Sequence, residues 1–285
     1  EILIGLVGSE MCIRDRSRSI PNRQRLFRII STIMPEKKFF LRNLLWSVAA
    51  LAFLWAAWLL AHILVKNDYL VPSFSSAMKK VGEYLKDGAF WNAFFNTFLR
   101  TLTAFFISFF GAAVLATAAY LLPSLGHFLS PLVSVMRSLP TMAVILIILV
   151  WTTPVQAPVA VAFLALFPLL YSGIFSALKQ VDGKLVEMSK IYRVPIRKQI
   201  FGLYLPSAAP YVLREAAAAL SFSLKLTVSA EVLANTYQSI GGMMQEAKIY
   251  VEVPALFALT ALVVIAGFLL EGLGAAAAYA ARRRI

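Results

Sequence analysis

Four polar residues within one apolar stretch, residues 206–235, could handle a small solute: Arg214, Ser221, Lys225 and Glu231. On a helix, Arg214, Ser221 and Lys225 fall within one narrow stripe. An ionised side chain near the centre of a bilayer costs about 2.5–3.5 kcal/mol, so each such charge calls for a reason. The stripe could line a path that favours an anion. Alternatively, Arg214 could extend its charged end to the membrane surface.

The sequence lacks the residue patterns of an enzyme or a metalloprotein. Its one cysteine and two histidines lie far apart: Cys12, His62 and His127. It contains no G-x-x-x-x-G-K-[S/T] segment, so any ATP chemistry must come from another chain. Neither a nucleophile–base pair nor an H-E-x-x-H helix occurs. We therefore expect a chain that is not an enzyme by itself and binds no metal or cofactor.

The composition is typical of an integral membrane protein. Of the 285 residues, 60% are hydrophobic and only 14% are charged, beyond the usual range of soluble domains. The net charge of +13 could suggest nucleic-acid binding in a soluble protein. Here the basic residues flank apolar runs, so contacts with lipid headgroups and control of topology explain them better. We expect membrane lipid, and no nucleic acid, as a partner.

Apolar runs of about 20 residues predict six transmembrane helices in an all-α polytopic fold. Within the charge-free run 138–178, the stretch TTPVQAP at 152–158 is expected to separate two spans, because its prolines break helical hydrogen bonds. A short helix with serines at its start is expected in the external loop 66–93, ending at Gly88. The other four predicted spans are 44–65, 101–122, 206–235 and 253–278.

Lysine and arginine are concentrated in the N-terminal arm, in the 179–205 segment and in the tail. By the positive-inside rule, both ends and this segment are expected to be cytoplasmic. Residues 1–16 look like translated read-through and are expected to be non-native, with Met34 a plausible start. The expected organisation is a cytoplasmic arm (17–43), the first helix (44–65), an external loop (66–93), a five-helix core (94–281) and a basic tail (282–285).

The basic 179–205 segment is predicted to form two short helices joined by a bend. Leu185, Met188 and Ile191 make a short apolar stripe, and Pro195 starts the second turn. Such helices are too small to bury their own apolar faces. The segment could lie on lipid headgroups or dock into a groove of a soluble partner.

The residue pattern of this segment resembles the cytoplasmic loop of permease subunits from binding-protein-dependent ABC importers. That family's pattern is E-A-A, three residues, Gly, nine residues, then I-x-L-P. Arg193 replaces the glycine, which implies a strained bend if the backbone there needs positive φ. The spacing is kept throughout, and the resemblance implies that the ATPase docks on a coupling helix between spans four and five. The residues of this chain that align with the positions of the pattern are Glu187, Met188, Ser189, Arg193, Leu203, Leu205 and Pro206.

The resemblance extends from about residue 71 to residue 271 and is strongest to the nitrate, sulfonate and taurine branch. It includes VPSF at 71–74, MRSLPTMA at 136–143, LPSAAPYV at 205–212 and LKLTVSAEVL at 224–233. It implies a homodimeric permease in the plasma or inner membrane, two ATP-binding cassette ATPase subunits and an extracellular solute-binding protein. ATP would be used by the partner subunit. A heteromeric permease pair stays open.

The resemblance also bears on cargo and gating. Lys225 and Glu231 match family positions and could pair across the dimer instead of touching cargo. Glu215 and Ala217 stand where the branch has Gly and Arg, so a small vitamin precursor is an alternative to a nitrate-, sulfonate- or taurine-like cargo. Gly241 and Gly242 are candidates for a gate or a plain turn. An ATP-independent channel or an ion-coupled transporter is the alternative function.

Overall fold

The computed structural model describes residues 36–65 and 70–282, and every regular element within these ranges is helical. The chain divides into two compact units, residues 1–64 and 65–285. The first unit contains helix α1 (Glu36–Val65), whose last 18 residues are long and apolar enough to cross a membrane. Its described side chains from residue 45 onward are exposed or partly exposed.

The second unit contains the remaining elements, in which one π-helix (Ile200–Tyr204) joins α8 to α9. The α-helices are α2 (Phe74–Lys86), α3 (Gly88–Leu121), α4 (Pro123–Ser138), α5 (Thr141–Trp151), α6 (Ala157–Lys179), α7 (Gly183–Ile191), α8 (Ile196–Gln199), α9 (Leu205–Ala234), α10 (Ile240–Ile249) and α11 (Val253–Arg282).

The predicted all-α membrane fold is confirmed. In the described part of the chain, α1, α3, α6, α11 and the run from α8 through α9 are each long and apolar enough to cross a membrane. The pair α4 and α5 passes the same test only when the two are taken together, which gives up to six spans. The predicted break at TTPVQAP is also present, because α5 ends at Trp151 and α6 begins at Ala157.

The predicted third span, a helix starting near Ser138, is corrected by the structure. Residues 123–138, expected to be a loop, form α4, and the chain bends by 97° before α5. Leu139 precedes Pro140 and is extended, with φ −68° and ψ 130°, as a residue before proline prefers. The 11 residues of α5 span only about 16 Å, against a hydrocarbon core of about 30 Å. The span that begins in the charge-free run 138–178 is therefore one half of a bent helix pair.

Helix α2 begins where the serines predict, but its end differs from the prediction. The Ser73 side chain caps the helix by accepting a hydrogen bond from the backbone N–H of Ser76 at 3.3 Å. Asp87 follows the last residue of α2 and caps α3 by accepting from the N–H of Ala89 at 2.9 Å. Gly88 is therefore the first residue of α3 rather than the terminator of α2.

Helix α9 lies at the centre of the second unit, where it packs against α3, α6, α10 and α11. The buried core between α3, α6 and α9 is built largely from alanine, with larger side chains coming mainly from α6. Small residues let helices approach closely, which is how helices associate where lipid removes the hydrophobic drive to pair. The buried small residues of α3 are Ala93, Thr97, Thr101, Ala104, Ser108, Ala112, Ala116 and Ala119.

The seam between α9 and α11 is tight at one glycine. A Cβ at Gly274 would lie 2.7 Å from the Cβ of Ala217 and 3.0 Å from its Cα, which leaves no room for a larger residue. One turn further along α9, the buried Ser221 hydroxyl donates to the carbonyl of Gly267 at 3.2 Å.

We expect Gly274→Ala to lower the thermal unfolding midpoint of the detergent-purified protein. The added methyl group pushes α11 away from Ala217, and overpacking of this kind costs about 1–3 kcal/mol. Gly272→Ala is the matched control, because a Cβ at Gly272 meets no atom within 4 Å. That control also gains helix propensity, so its midpoint should stay equal or rise. Equal effects of the two substitutions would show that the seam is not tight.

Candidate functional site

The 179–205 segment, which the residue pattern predicts to dock on a partner, contains one separate short helix and a second helix that continues into the bundle. Helix α7 ends at Ile191, and the chain resumes helical form at Ile196. From Ile196 the backbone runs through the π-helix into α9, so the helical run reaches Ala234 over 39 residues. The two predicted short helices are present, but the second is the start of the central helix. The bend at residues 192–195 is therefore where the chain passes from α7 into the helical run that ends with α9.

Arg193 forms that bend in the left-handed backbone conformation, with φ 50°. The N–H of Val194 donates to the carbonyl of Ser189 at 3.0 Å, a bond typical of a helix end closed by a residue with positive φ. The side chain of Gln199 then donates to the carbonyl of Val194 at 2.7 Å. Glycine is the favoured residue in this conformation, and arginine there costs about 1 kcal/mol.

The two ends of the residue pattern that resembles the permease loop, at 187–189 and at 203–206, differ in exposure. On α7 the side chains of Glu187 and Met188 are exposed, while Ser189 is half-buried and donates to the carbonyl of Val186 at 2.7 Å. At the other end Leu203 and Pro206 are half-buried and Leu205 is exposed. The apolar stripe of α7 is uncovered within the described chain, and Ile191 is 78% exposed.

An anchor that the sequence analysis missed fixes the segment to the bundle. Tyr204, inside the motif, is only 7% exposed and packs edge-to-face against Tyr120 of α3, with ring centroids 5.4 Å apart. Tyr120 also meets Phe175 of α6. The tyrosine lies between two residues that align with the family pattern, but any residue is allowed at its own position, so the pattern carries no signal for it.

Glu231 lies at the opposite end of α9 and joins three helices. Its side chain is fully buried, and it accepts from the Arg100 Nη1 of α3 at 3.0 Å. Its second oxygen accepts from the Thr97 hydroxyl at 2.9 Å and from the N–H of Gly241 at 3.3 Å. Thr97 in turn accepts from the N–H of Ile240 at 3.0 Å. The carboxylate therefore also satisfies the N-terminus of α10, where negative charge is favourable.

The glycines proposed for a gate form the tightly packed first turn of α10. A Cβ at Gly241 would lie 2.3 Å from the Cβ of Glu231, and one at Gly242 would lie 2.2 Å from the carbonyl oxygen of Thr236. The N–H of Gly242 also donates to the side chain of Ser239, which caps the helix, at 2.8 Å. These two glycines permit close packing against the end of α9 in this structure.

The structure separates the four polar residues predicted to share a path. Arg214 and Lys225 are exposed on one face of α9. Ser221 is turned towards α11, and Glu231 is enclosed by α3 and α10. Arg100 lies in the thirteenth position of α3 and pairs with Glu231. Of these four residues, only Arg214 and Lys225 therefore lie on an exposed surface of α9.

Comparison with protein families places most of this unit in one group. The family model described as "Binding-protein-dependent transport system inner membrane component" matches residues 108–283. The chain is 21% identical over 231 residues to TauC, a taurine transport system permease protein of Escherichia coli (strain K12), with 79% of this chain and 83% of that protein covered.

Two further comparisons agree with this match. SsuC of Bacillus subtilis (strain 168), a putative aliphatic sulfonates transport permease protein, is 26% identical over 133 residues, which is 46% of this chain and about half, 48%, of that relative. A crystal structure of an amino acid ABC transporter with histidines superposes with a TM-score of 0.56 at 14% identity, covering 75% of this chain and 99% of that one. At that identity the likeness is one of fold.

We expect Glu231→Gln to destabilise the protein strongly, because it leaves the largely buried guanidinium of Arg100 without a counter-ion. Breaking one side of a buried pair costs about 3–5 kcal/mol. The double variant R100Q/E231Q should lose less than the sum of the single variants, as measured by thermal unfolding midpoints. Glu83→Gln is the control, because its ion pair with Lys80 is exposed and worth at most about 1 kcal/mol. Midpoints of E231Q and E83Q that coincide would contradict the assigned role.

Arg193→Gly should raise the thermal unfolding midpoint or leave α7 more resistant to proteolysis. It relieves about 1 kcal/mol of left-handed strain at the bend. Arg193→Ala is the matched control, since it removes the same charge and keeps the strain. If R193A and R193G behave alike, the effect comes from the charge and not from the backbone.

Proposed function

The chain belongs to the inner membrane components of binding-protein-dependent transport systems, and from this membership we propose that it is the permease subunit of an ABC importer. In this proposal two copies form the translocation path through the membrane. A binding protein delivers the solute from outside, and two ATPase subunits dock on the cytoplasmic side. The names of both relatives, which are permease proteins of transport systems, support this assignment.

The observation that carries the proposal is the uncovered surface of α7. Leu185, Met188 and Ile191 expose apolar side chains in the same short helix that presents the carboxylate of Glu187. A nine-residue helix with such a surface has little stability of its own, so it needs a partner that covers it. A short amphipathic helix in a groove of a soluble subunit meets this need, and we assign that groove to the ATPase.

The way α7 is attached makes it suitable for transmitting force. Beyond the bend at residues 192–195, the chain runs from α8 through the π-helix into α9 without a loop, and Tyr204 ties this junction to α3. Helix α9 in turn contacts most other helices of the unit. A rigid shift of the docked helix would therefore move the central helix relative to its neighbours, as alternating access requires.

The open face of α9 is the proposed wall of the path and of the contact with the second copy. It carries two cations and several small or apolar side chains along the whole helix: Tyr211, Arg214, Ala218, Phe222, Lys225, Ser229 and Leu233. Within the described residues neither Arg214 nor Lys225 forms an ion pair. Two uncompensated positive charges per subunit would favour an anionic or zwitterionic solute.

The proposed cargo is accordingly a small organic anion or zwitterion of the sulfonate or taurine type. The names of SsuC and TauC refer to the transport of aliphatic sulfonates and of taurine. Glu215, one residue after Arg214, is half-buried over Gly173 and adds a carboxylate near the same helix. A solute that carries both signs of charge suits this pairing better than a simple inorganic anion.

Co-purification tests the docking assignment. The tagged full chain is expressed together with the ATPase encoded beside it, and we expect the ATPase to be retained. Glu187→Arg should abolish retention, because it places a positive charge in the centre of the docking surface.

Glu83→Arg is the matched control, since it makes the same charge reversal at an exposed position of α2 and should keep the ATPase. Failure of the wild-type chain to retain the ATPase would refute the permease assignment. Retention by E187R would refute the docking site alone.

A further inference from the structure

A cavity of mixed lining lies between α4 and α6, separate from the residues discussed so far. Its volume is about 360 Å³, within the range of small-molecule sites, roughly 300–1,000 Å³. One arginine and four serines form its polar part, and aromatic and small apolar residues form the rest: Arg137, Ser130, Ser134, Ser172, Ser176, Tyr171, Phe175, Val133 and Gly126. Arg137, Ser130 and Ser134 are exposed, so the cavity is open on the α4 side, and its lining contains no acidic residue.

The spacing of these residues explains how two helices make one polar surface. Ser130, Ser134 and Arg137 lie at i, i+4 and i+7 on α4, so they share one face. Ser172 and Ser176 lie at i and i+4 on α6, which packs against α4. The bend after Ser138 turns the chain away, and this leaves the arginine at the end of the α4 face.

Arg137 has the properties of a binding group and not of a structural one. Its Nη1 lies 3.5 Å from the hydroxyl of Ser172, and no carboxylate lies within 4 Å of it among residues 70–282. Arg100 differs, because its side chain is 14% exposed and paired with Glu231. The guanidinium of Arg137 therefore keeps most of its five donors available, in a fork that matches two oxygens of an anion.

The cavity lies towards the end of the unit that carries the proposed docking segment. Ser172 is seven residues before the end of α6 at Lys179, which corresponds to about 10 Å along the helix. The chain enters α7 a few residues later. An anion held here would lie on the same end of α6 as the entry to α7.

We propose that this cavity binds one oxyanion group, with the forked guanidinium of Arg137 and the hydroxyls of Ser130, Ser134 and Ser176 as its donors. The Ser172 hydroxyl donates to the carbonyl of Pro168 at 2.8 Å and accepts from Arg137. Sulfonate and phosphate oxygens are acceptors of the kind that arginine and hydroxyl donors bind by short, charge-assisted hydrogen bonds. The two sources of such a group are the head of the cargo and the phosphate of an anionic lipid. The assignment to cargo rests on the proposed function, whereas the oxyanion site itself does not.

The test measures equilibrium binding of radiolabelled ethanesulfonate to the purified full chain in detergent with phosphatidylcholine. We expect saturable binding that Arg137→Gln weakens at least about tenfold, through loss of charge-assisted hydrogen bonds. Arg137→Lys should bind with intermediate affinity, because it keeps the charge and loses the fork. Lys79→Gln, on the exposed surface of α2, removes the same charge elsewhere and should bind like the wild type.

Absence of saturable binding to the wild type, or equal binding by R137Q, overturns the proposal. A loss shared by K79Q also overturns it, since the effect would then follow net charge. Gel filtration of each variant checks that it is folded, and the double variant S130A/S134A, which leaves the arginine in place, should also weaken binding.

Repeating the measurement with added phosphatidylglycerol distinguishes the two sources of the oxyanion. Competition by the lipid identifies its phosphate as the occupant in the membrane, and lack of competition identifies the solute. The ATPase co-purification stays a separate readout. R137Q should retain the ATPase, and a wild-type chain that binds ethanesulfonate without retaining the ATPase would refute the permease assignment and leave the anion site standing.

Discussion

The buried ion pair between Glu231 and Arg100 is the constraint on which the arrangement of the helices depends. An isolated carboxylate in an apolar interior is unfavourable by many kcal/mol, so Glu231 must be met by donors from elsewhere in the fold. Those donors come from α3 and from the first turn of α10. Satisfying one charge therefore fixes the far end of α9 relative to two other elements, and it also explains why glycine is needed at position 241.

The rest of the bundle follows from how closely its helices can approach. Alanine and serine on α3 and α9 bring these helices near α6, and Gly274 does the same for α11. At the other end of α9 the contacts are aromatic, with Tyr204 against Tyr120. The ion pair and hydrogen bonds of Glu231 thus hold one end of α9, and small-residue packing holds the helix along its length. Ring contacts of Tyr204 hold its other end, next to the segment proposed to dock.

Local features of the sequence predicted local structure well. The prolines of TTPVQAP, the serine cap of α2 and the need for positive φ at position 193 all concern a few neighbouring residues. The Arg100–Glu231 pair joins residues 131 positions apart, and no periodicity reveals such a partner. The α4–α5 bend was missed because a charge-free run carries no mark of a break except Pro140. Ser221 was misplaced because helical phase gives a direction but not the neighbour in that direction.

The π-helix between α8 and α9 gives the chain room for one more residue than a regular helix would hold there. Its turn closes with the N–H of Leu205 bonded to the carbonyl of Ile200, one residue further back than in an α-helix. Because this wider turn takes up the additional residue, the helical run continues from Ile196 to Ala234. Removing one residue between 200 and 204 would narrow the turn to that of an α-helix and leave the direction of α8 relative to α9 nearly unchanged. A change of length is therefore tolerated at this one turn, whereas elsewhere in α9 it would turn every side chain beyond it by about 100°.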